Sequence, residues 1–338
     1  CGWHHPFWQD VRLRGKASRY YNWFCVYDAG ELSRLPLEQL SDRRMKVNPP
    51  YECFAFAANM PKWNTENPEV IRYLVSIAEQ WTREYGIDAW RLDVPDEVSL
   101  RFLHAFRARM RSCNAAVYVI GEIWQDAAWW LEQSVFDGVM DYPLYHAIRD
   151  FAMTHTDPLE TFAHRIRRWY AAAPEAVHPY QWAFCSNHDV PLSLCGGNKS
   201  DFRLAYVLAA LLGGNLSVYY GDEIAMDGGQ DPDNRRPMRW TDPEEEIRGF
   251  FHSLLWLKRD VLRHCRLTAM ELTDALYLRF DGSGYGILAV VTERGQAVTP
   301  QLDASDSLLL EAPEGHAAEG TVRGFAVFRR EVTHDGNT

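Results

Sequence analysis

The chain has 338 residues, of which 47% are hydrophobic and 13% aromatic, so it is long and apolar enough to fold around a large core rather than remain disordered. Its formal net charge is −11 and its basic residues form no long cluster, which argues against nucleic acid as a partner. The longest apolar stretch, residues 206–220, contains two glycines and Asn215 and is shorter than the ~20 residues of a membrane span.

The cysteines and the first residues predict where the protein is located. Seven cysteines, an odd number without CxxC spacing, favour free thiols in a reducing compartment over a disulfide framework. The opening segment, Cys1 to Pro6, has neither the basic start nor the apolar run of a signal peptide. We therefore expect a cytoplasmic protein that does not bind a membrane.

The first half of the chain changes character near residue 67. Residues 1–66 are rich in aromatic side chains and show no sustained period, which indicates a long functional loop or subdomain. Asn67 and Pro68 then form a helix start, followed by apolar residues at helical spacing, namely Val70, Leu74, Ile77 and Trp81. From this helix onward, predicted strands and helices alternate.

The alternating elements predict a parallel sheet. In chain order they are a strand at 86–93, a helix at 96–112, strands at 116–122 and 135–140, two helical segments within 143–173, a strand at 180–185, a helix at 201–212, a strand at 216–220 and a helix at 244–264. Such alternation implies crossover helices around a barrel or a doubly wound sheet. No GxGxxG or phosphate-loop motif follows any strand, which disfavours the nucleotide-binding folds.

Beyond residue 265 the helices stop. Short strands separated by Gly, Asp or Pro are predicted at 276–280, 286–292, 307–310 and 322–329, which is typical of a small antiparallel β domain. The sequence thus predicts three regions: the irregular segment 1–66, a catalytic α/β portion at 67–264, and a C-terminal β domain at 265–338.

Acidic residues lie at or just after the ends of three predicted strands, namely Asp93, Glu122 and Asp189. Asp93 and Glu122 are 122 − 93 = 29 residues apart, about one strand–helix–strand unit, so both would project from the carboxyl ends of strands. A retaining glycosidase needs such a pair, one carboxylate as nucleophile and one as acid/base, about 5 Å apart. This pattern predicts glycosidase chemistry.

Arg91 lies two residues before Asp93, so on a strand the two side chains share a face and can meet. The guanidinium would keep Asp93 ionised as a nucleophile requires, although a structural ion pair is the alternative. Glu122 follows apolar residues, a setting that favours the protonated form of a general acid. The alternative for Glu122 is a satisfied polar residue that closes a strand.

Further polar and aromatic residues would bind the sugar. Asn187 and His188 are adjacent donors before the Asp189 carboxylate, and His188 and Asp189 could bind ring hydroxyls. Trp124 could stack on a sugar or fill the core. The loop at 228–240, which contains Asp231 and Arg235, is either a pocket wall or a solvated loop. The histidines show no metal-ligand spacing and no EF-hand run is present, so the sequence predicts no cofactor and leaves calcium open.

Together these segments resemble the α-amylase family of glycoside hydrolases, in particular its cyclomaltodextrinase, neopullulanase and maltogenic amylase group. Order and spacing agree over about residues 1–260. The matching segments are 51–56, 60–70, 86–98, 121–124, 136–143, 187–189, 219–224 and the Gly228-Gly-Gln-Asp-Pro loop.

The resemblance implies a (β/α)8 barrel followed by a small antiparallel β-sandwich. It further implies that Asp93 is the nucleophile, Glu122 the acid/base and Asp189 the transition-state stabiliser. Arg91 and His188 would be their direct partners. Trp124, Asp231 and Arg235 would contact neighbouring glucose units. The implied substrates are cyclodextrins, pullulan and maltooligosaccharides, cut at α-1,4 bonds with some transglycosylation.

The resemblance also implies that part of the family's barrel is missing. The segment that begins at Cys1 is similar to the family's sequence directly after its third barrel strand, so only about strands four to eight would be present, with an unpaired edge at the 86–93 strand. Homodimerisation would need the N-terminal part. The competing hypotheses are a non-catalytic relative that binds carbohydrate or a partner, inactive as a truncated fragment, and a transglycosylase of the same family.

Overall fold

A computed structural model describes residues 1–32, 34, 49–55, 57–241, 244–313 and 315–331, so Phe56 of the family-like segment 51–56 lies outside the described residues. The chain divides into two compact units. The first unit is Cys1–Glu122 with Gln133–Asp137, and the second is Ile123–Glu132 with Gly138–Thr338.

The first unit contains four α-helices and four strands within its described residues. They are α1 Pro6–Arg14, α2 Ala29–Leu32, β1 Cys53–Phe54, β2 Ala57–Pro61, α3 Pro68–Tyr85, β3 Ala89–Leu92, α4 Leu100–Cys113 and β4 Tyr118–Gly121. The predicted start of α3 is confirmed, because the Asn67 side chain accepts a hydrogen bond from the Glu69 N–H at 2.8 Å. The sequence does not predict helix α1, which has only nine residues, too few for its apolar spacing to stand out.

The aromatic residues of the segment 1–66 form a core of their own. Trp8 packs edge-on against Phe24 and Tyr51, with ring centroids 5.0 Å and 4.6 Å away. The Tyr51 hydroxyl donates to the Ala58 carbonyl at 2.6 Å, which satisfies the one polar atom of that buried ring. Aromatic packing therefore holds the described part of this segment together.

Strand β3 is paired along one edge. It runs parallel to β4 from Ala89 beside Tyr118 to Leu92 beside Gly121. Alternation along the strand directs the backbone groups of Ala89 and Arg91 to the opposite edge. In the described part of the first unit, those groups have no backbone hydrogen-bond partner.

An apolar groove of about 560 Å³ lies between α3, β3 and α4. The apolar stripe predicted for α3 reaches this groove, because Leu74, Ile77 and Trp81 line it. Ile77 and Trp81 are 39% and 49% exposed, whereas Val70, at the start of the stripe, is fully buried. The stripe thus identifies an apolar face of α3. Within the described residues, only the part of that stripe in the first turn of the helix is fully buried.

The second unit begins with an α/β portion. Its elements are α5 Ala128–Glu132, β5 Gly138–Val139, α6 Tyr142–Ile148, α7 Leu159–Ala172, β6 Trp182–Ala183, α8 Lys199–Leu212, β7 Asn215–Leu216 and α9 Glu245–Trp256. Strands β6 and β7 are parallel, and Met140 bridges in parallel to Trp182, as the alternation predicts. The strands have only two residues each, shorter than predicted.

An antiparallel sheet region comes next. Its strands are β8 Arg266–Leu272, β9 Leu276–Asp281, β10 Tyr285–Val291, β11 Ala297–Val298, β12 Asp306–Glu311, β13 Val322–Arg323 and β14 Phe325–Glu331. Five of them form one sheet in the order β12-β14-β10-β9-β8, and β11 pairs with β13. The sequence does not predict strand β8, because its partly exposed polar residues conceal the alternation. An α/β portion followed by an antiparallel β region is confirmed.

Helix α8 is the centre of the second unit's core. Its residues from Phe202 to Leu212 are buried except Leu204, so the predicted helix at 201–212 is confirmed and lies in the core. The Tyr206 hydroxyl and the Ser186 hydroxyl both donate to the buried carboxylate of Asp222. Among the described residues, no helix combines the length and the apolar character that crossing a bilayer requires.

Asp141 is a second buried carboxyl group in this unit. The Trp169 indole N–H donates to its oxygens at 2.9 and 3.0 Å, and the Leu144 N–H donates at 3.1 Å. Burial raises the pKa of Asp141 to about 7, and these hydrogen bonds only partly oppose the shift. Asp141 therefore binds a proton more tightly in the folded protein than in the unfolded chain.

We expect Asp141 to make stability depend on pH. Because its folded-state pKa is raised above the ordinary value of 3.8, its contribution is complete below about pH 4 and is lost as the pH rises through about 7. The free energy of unfolding in urea can be measured across that window for the wild type and for Asp141→Asn. The wild-type value should fall by on the order of 1–3 kcal/mol relative to that of the variant. The exposed control Asp281→Asn should show the same pH dependence of stability as the wild type. A stability difference between Asp141→Asn and the wild type that does not change with pH would contradict the assignment.

Candidate active site

Asp93 and Glu122 follow the carboxyl ends of neighbouring strands in the first unit. The parallel register places Leu92 beside Gly121, and the Glu122 N–H donates to the Leu92 carbonyl at 3.1 Å. The residues one step further along each strand are the two carboxylates. The structure therefore brings the predicted nucleophile and the predicted acid/base to one end of the β3–β4 pair.

Arg91 contacts both carboxylates. Its Nη1 lies 2.5 Å from Asp93 Oδ1, and its Nη2 lies 2.7 Å from Glu122 Oε1. The second contact is an ion pair at short distance rather than an aligned hydrogen bond. One guanidinium thus fixes the positions of both acidic groups, and the predicted meeting of Arg91 with Asp93 is confirmed.

The two carboxylates differ in their access to solvent. The Asp93 side chain is 75% exposed, whereas the Glu122 side chain is 2% exposed. Glu122 also accepts a hydrogen bond from the backbone N–H of Val94 at 3.2 Å. Val94 has a positive φ of 42°, which is unusual for a β-branched residue and directs the chain away from the strand at this point. Asp93 is therefore accessible, and Glu122 is held in a dry setting.

The local sequence explains these positions. Trp90 faces the helices, because its indole N–H donates to Thr82 Oγ1 of α3 at 3.0 Å and its ring packs on Phe106 of α4. Gly121, which precedes Glu122, lies close to the Phe136 ring, because a Cβ at residue 121 would lie only 2.9 Å from that ring. A side chain at residue 121 would displace either the ring or the strand that carries Glu122.

In the second unit, Asn187 organises the segment that carries Asp189. Its Oδ1 accepts from the N–H groups of Asp189 and Val190 at 2.7 and 3.1 Å. Its Nδ2 donates to the Tyr142 hydroxyl at 3.1 Å. Asn187 is buried, and its amide holds the turn that carries Asp189.

Asp189 is held from two sides. His188 Nε2 lies 3.1 Å from one carboxylate oxygen, and Arg235 Nη2 donates to the other at 2.9 Å. Arg235 Nε donates to the His188 carbonyl at 2.8 Å and lies 3.0 Å from Asp231 Oδ1. The loop residues Asp231 and Arg235 therefore belong to the same polar cluster as His188 and Asp189.

Trp124 presents an aromatic face in the second unit. It stacks on Tyr142 with ring centroids 4.4 Å apart and an interplanar angle of 14°. Trp124 is 43% exposed, so it is not filling the core. A flat ring supported on one side by another ring is a suitable platform for the apolar face of a sugar.

The sequence does not predict two residues of this cluster. Tyr142 links the Trp124 platform to Asn187, and Asn234 donates to the carbonyls of Asn187 and Val190 at 3.3 and 2.9 Å. Tyr142 is part of a family-like segment, but a tyrosine before a proline carries no pattern that distinguishes a site residue from a core residue. Asn234 lies beside Arg235, and only the fold reveals that it supports the turn.

The chain was compared with known proteins. The family model for the α-amylase catalytic domain matches residues 1–265. A cyclomaltodextrinase of Geobacillus thermopakistaniensis (strain MAS1) is 34% identical over 300 residues, which cover 88% of this chain and 48% of that protein. Neopullulanase 2 of Thermoactinomyces vulgaris is 37% identical over 312 residues, covering 90% of this chain and 50% of that protein. The chain spans about half the length of these curated relatives.

Solved structures give the same result for the fold. The cyclic α-maltosyl-(1→6)-maltose hydrolase of Arthrobacter globiformis matches with a TM-score of 0.82 at 25% identity, over 98% of this chain and 73% of that chain. A cyclomaltodextrinase matches with a TM-score of 0.81 at 30% identity, over 98% of this chain and 58% of that chain. By its sequence and its fold, this chain belongs to the α-amylase family of glycoside hydrolases and is similar to the cyclomaltodextrinases and neopullulanases.

Proposed function

We propose that this chain carries the catalytic carboxylates of a retaining α-glucan hydrolase. Its substrates are cyclodextrins, pullulan or maltooligosaccharides, cut at α-1,4 bonds by double displacement. The observation that carries the proposal is the contact of one guanidinium, Arg91, with both Asp93 and Glu122 at adjacent strand ends. Retention requires two such groups with different protonation roles.

In the first step, the Asp93 carboxylate attacks the anomeric carbon while Glu122 gives its proton to the departing glycosidic oxygen. A covalent glycosyl ester on Asp93 results. In the second step, Glu122 removes a proton from water, which attacks the anomeric carbon and releases Asp93. The exposure of Asp93 suits a nucleophile that must reach the sugar, and the 2% exposure of Glu122 gives the proposed acid/base a different environment from that of the nucleophile.

The remaining site residues would bind and stabilise the sugar. Asp189, oriented by His188 and Arg235, would stabilise charge on the flattened ring in the transition state. Asp231 would contact a neighbouring glucose unit together with Arg235, and Trp124 would stack on another. Asn187 would act through the turn it holds.

The proposed architecture is a (β/α)8 barrel of which β3 to β7 are strands four to eight. The unpaired edge of β3 and the apolar groove beside it support this assignment, because a preceding barrel strand and its helix would cover both. Residues 67–264 would form the barrel portion and 265–338 the C-terminal β domain. An intracellular location is part of the proposal, since an intracellular maltogenic amylase of Bacillus subtilis is 33% identical over 260 residues.

Two substitutions separate the roles of the carboxylates. The assay protein joins this chain to the N-terminal portion of neopullulanase 2, which the chain does not match. Asp93→Asn should lower kcat on the order of 10⁴-fold or more on both maltotriose and a maltosyl fluoride, because the variant cannot form the glycosyl ester with either substrate. Glu122→Gln should lower kcat/KM about 10²- to 10⁴-fold on maltotriose but far less on the fluoride, because kcat/KM reports the first step and the fluoride leaving group needs no proton there.

Asp88→Asn is the matched control for this pair, because Asp88 is exposed at the opposite end of β3. It should retain wild-type turnover on both substrates. Equal losses on the two substrates for Glu122→Gln would contradict its role as the acid, and substantial residual turnover by Asp93→Asn would contradict its role as nucleophile.

Trp124 should contribute to affinity without taking part in the chemistry. Trp124→Ala should weaken maltotriose binding about 2- to 10-fold in titration calorimetry, because a stacked ring contributes on the order of 0.5–1.5 kcal/mol. Trp256→Ala is the control, since Trp256 is 45% exposed, close to the 43% of Trp124, and lies in α9 outside the proposed site. If both variants bind equally well, Trp124 is not a sugar platform.

A further inference from the structure

The second unit contains a cavity of about 720 Å³ that the glucan chemistry does not use. It lies between the C-terminal end of α8, strand β7, residues 175–179 and the segment 258–267 that comes after α9. Its volume is within the range of about 300–1,000 Å³ typical of small-molecule sites. It is large enough for a compact organic ligand.

One wall of this cavity is strongly basic. Between residues 258 and 266 there are four Lys or Arg residues and one Asp, a formal charge of 4 − 1 = +3 in a chain whose net charge is −11. The four basic side chains all line the cavity, namely those of Lys258, Arg259, Arg263 and Arg266. A local excess of positive charge in a concave site attracts anions.

Two of the four cations are neutralised by neighbours and two are not. Arg259 pairs with Asp260 at 2.8 Å, and Arg266 pairs with Glu175. Within the described residues, Arg263 and Lys258 have no carboxylate within ion-pair distance. Arg263 is exposed, so it can move toward a ligand, whereas Lys258 is fixed.

Lys258 is held by backbone carbonyls alone. Its Nζ donates to the Ala210 carbonyl at 2.8 Å and to the Gly213 carbonyl at 2.5 Å, at the end of α8. An ammonium has three donors, so one remains for a ligand. Burial lowers the pKa of Lys258 to about 8, as expected for an amine that lacks a carboxylate partner. A bound anion would restore the charged form.

The rest of the cavity is mainly apolar and aromatic, with Glu175 and Asn215 as further polar side chains. Tyr170 and His178 stack with ring centroids 4.2 Å apart and an interplanar angle of 3°, and leucine side chains complete the wall. His178 Nε2 lies 3.0 Å from the Tyr170 carbonyl, so it carries the hydrogen and Nδ1 is an acceptor. Nδ1 is buried without a hydrogen-bond partner among the described residues. It can accept from a hydroxyl or amino group.

We propose that this cavity binds a small organic phosphate, with the phosphomonoester against Lys258 and Arg263 and a hydroxyl- or amino-bearing group beside the Tyr170–His178 pair. Sugar phosphates and nucleoside monophosphates share this chemistry. The site is independent of the proposed glucan chemistry, because it contains none of the residues assigned to that site.

Titration calorimetry of the 338-residue chain tests the proposal with three probes: glucose 1-phosphate, adenosine monophosphate and inorganic phosphate. We expect at least one organic phosphate to bind more tightly than inorganic phosphate. Arg263→Ala should weaken that binding about 10-fold or more, because a charge-assisted contact is lost. Arg248→Ala, an exposed arginine of α9 outside the cavity, is the matched control and should bind as the wild type does.

Proton uptake is the second measurement. The pH is set to about 8, near the pKa of Lys258, and the binding heat is measured in buffers of different ionisation enthalpy. The protein should take up protons on binding, because Lys258 becomes fully charged. Lys258→Met should abolish that uptake. Binding of glucose 1-phosphate alone would identify a sugar-phosphate site, and binding of the nucleotide alone a nucleotide site. The proposal is overturned if neither organic phosphate binds with a Kd below about 1 mM, if inorganic phosphate binds as well as both, or if Arg263→Ala leaves affinity unchanged.

Discussion

The candidate chemistry depends on the parallel register of β3 against β4. That register places Leu92 beside Gly121, and therefore Asp93 and Glu122 one step beyond, where Arg91 contacts both. A slip of one residue would turn each carboxylate to the other face of its strand. The packing of Phe136 against Gly121 and of Trp90 against α3 and α4 fixes this register. A few apolar contacts thus determine the spacing of the acidic groups.

The polar cluster of the second unit is organised by its own hydrogen bonds. Asn187 holds the turn that carries Asp189, and Arg235 ties that carboxylate to the loop after β7. Trp124 rests on Tyr142, whose hydroxyl meets Asn187. Because the groups are already oriented, little ordering would remain for a ligand to impose, which is the arrangement expected of a site that stabilises a transition state.

The features that the sequence predicts well are those set by local spacing. Arg91 and Asp93 meet because strand geometry puts residues two apart on one face, and Asn67 caps α3 because the capping interaction is local. The unpredicted features depend on distant contacts. Nothing in the spacing of Ile77 and Trp81 reveals that they are half exposed, and Tyr142 acquires its role only from Trp124 and Asn187 across the fold.

The most direct test of the central claim is to identify the residue that bonds to the sugar. A 5-fluoroglucosyl fluoride, whose ring fluorine slows hydrolysis of the glycosyl ester, should trap the intermediate on the chain joined to the N-terminal portion of neopullulanase 2. Peptide mass spectrometry should then find the sugar on Asp93, and the products of normal turnover should keep the α-configuration. An adduct on any other residue, or inverted products without an adduct, would contradict the assignment of Asp93 and the double-displacement mechanism.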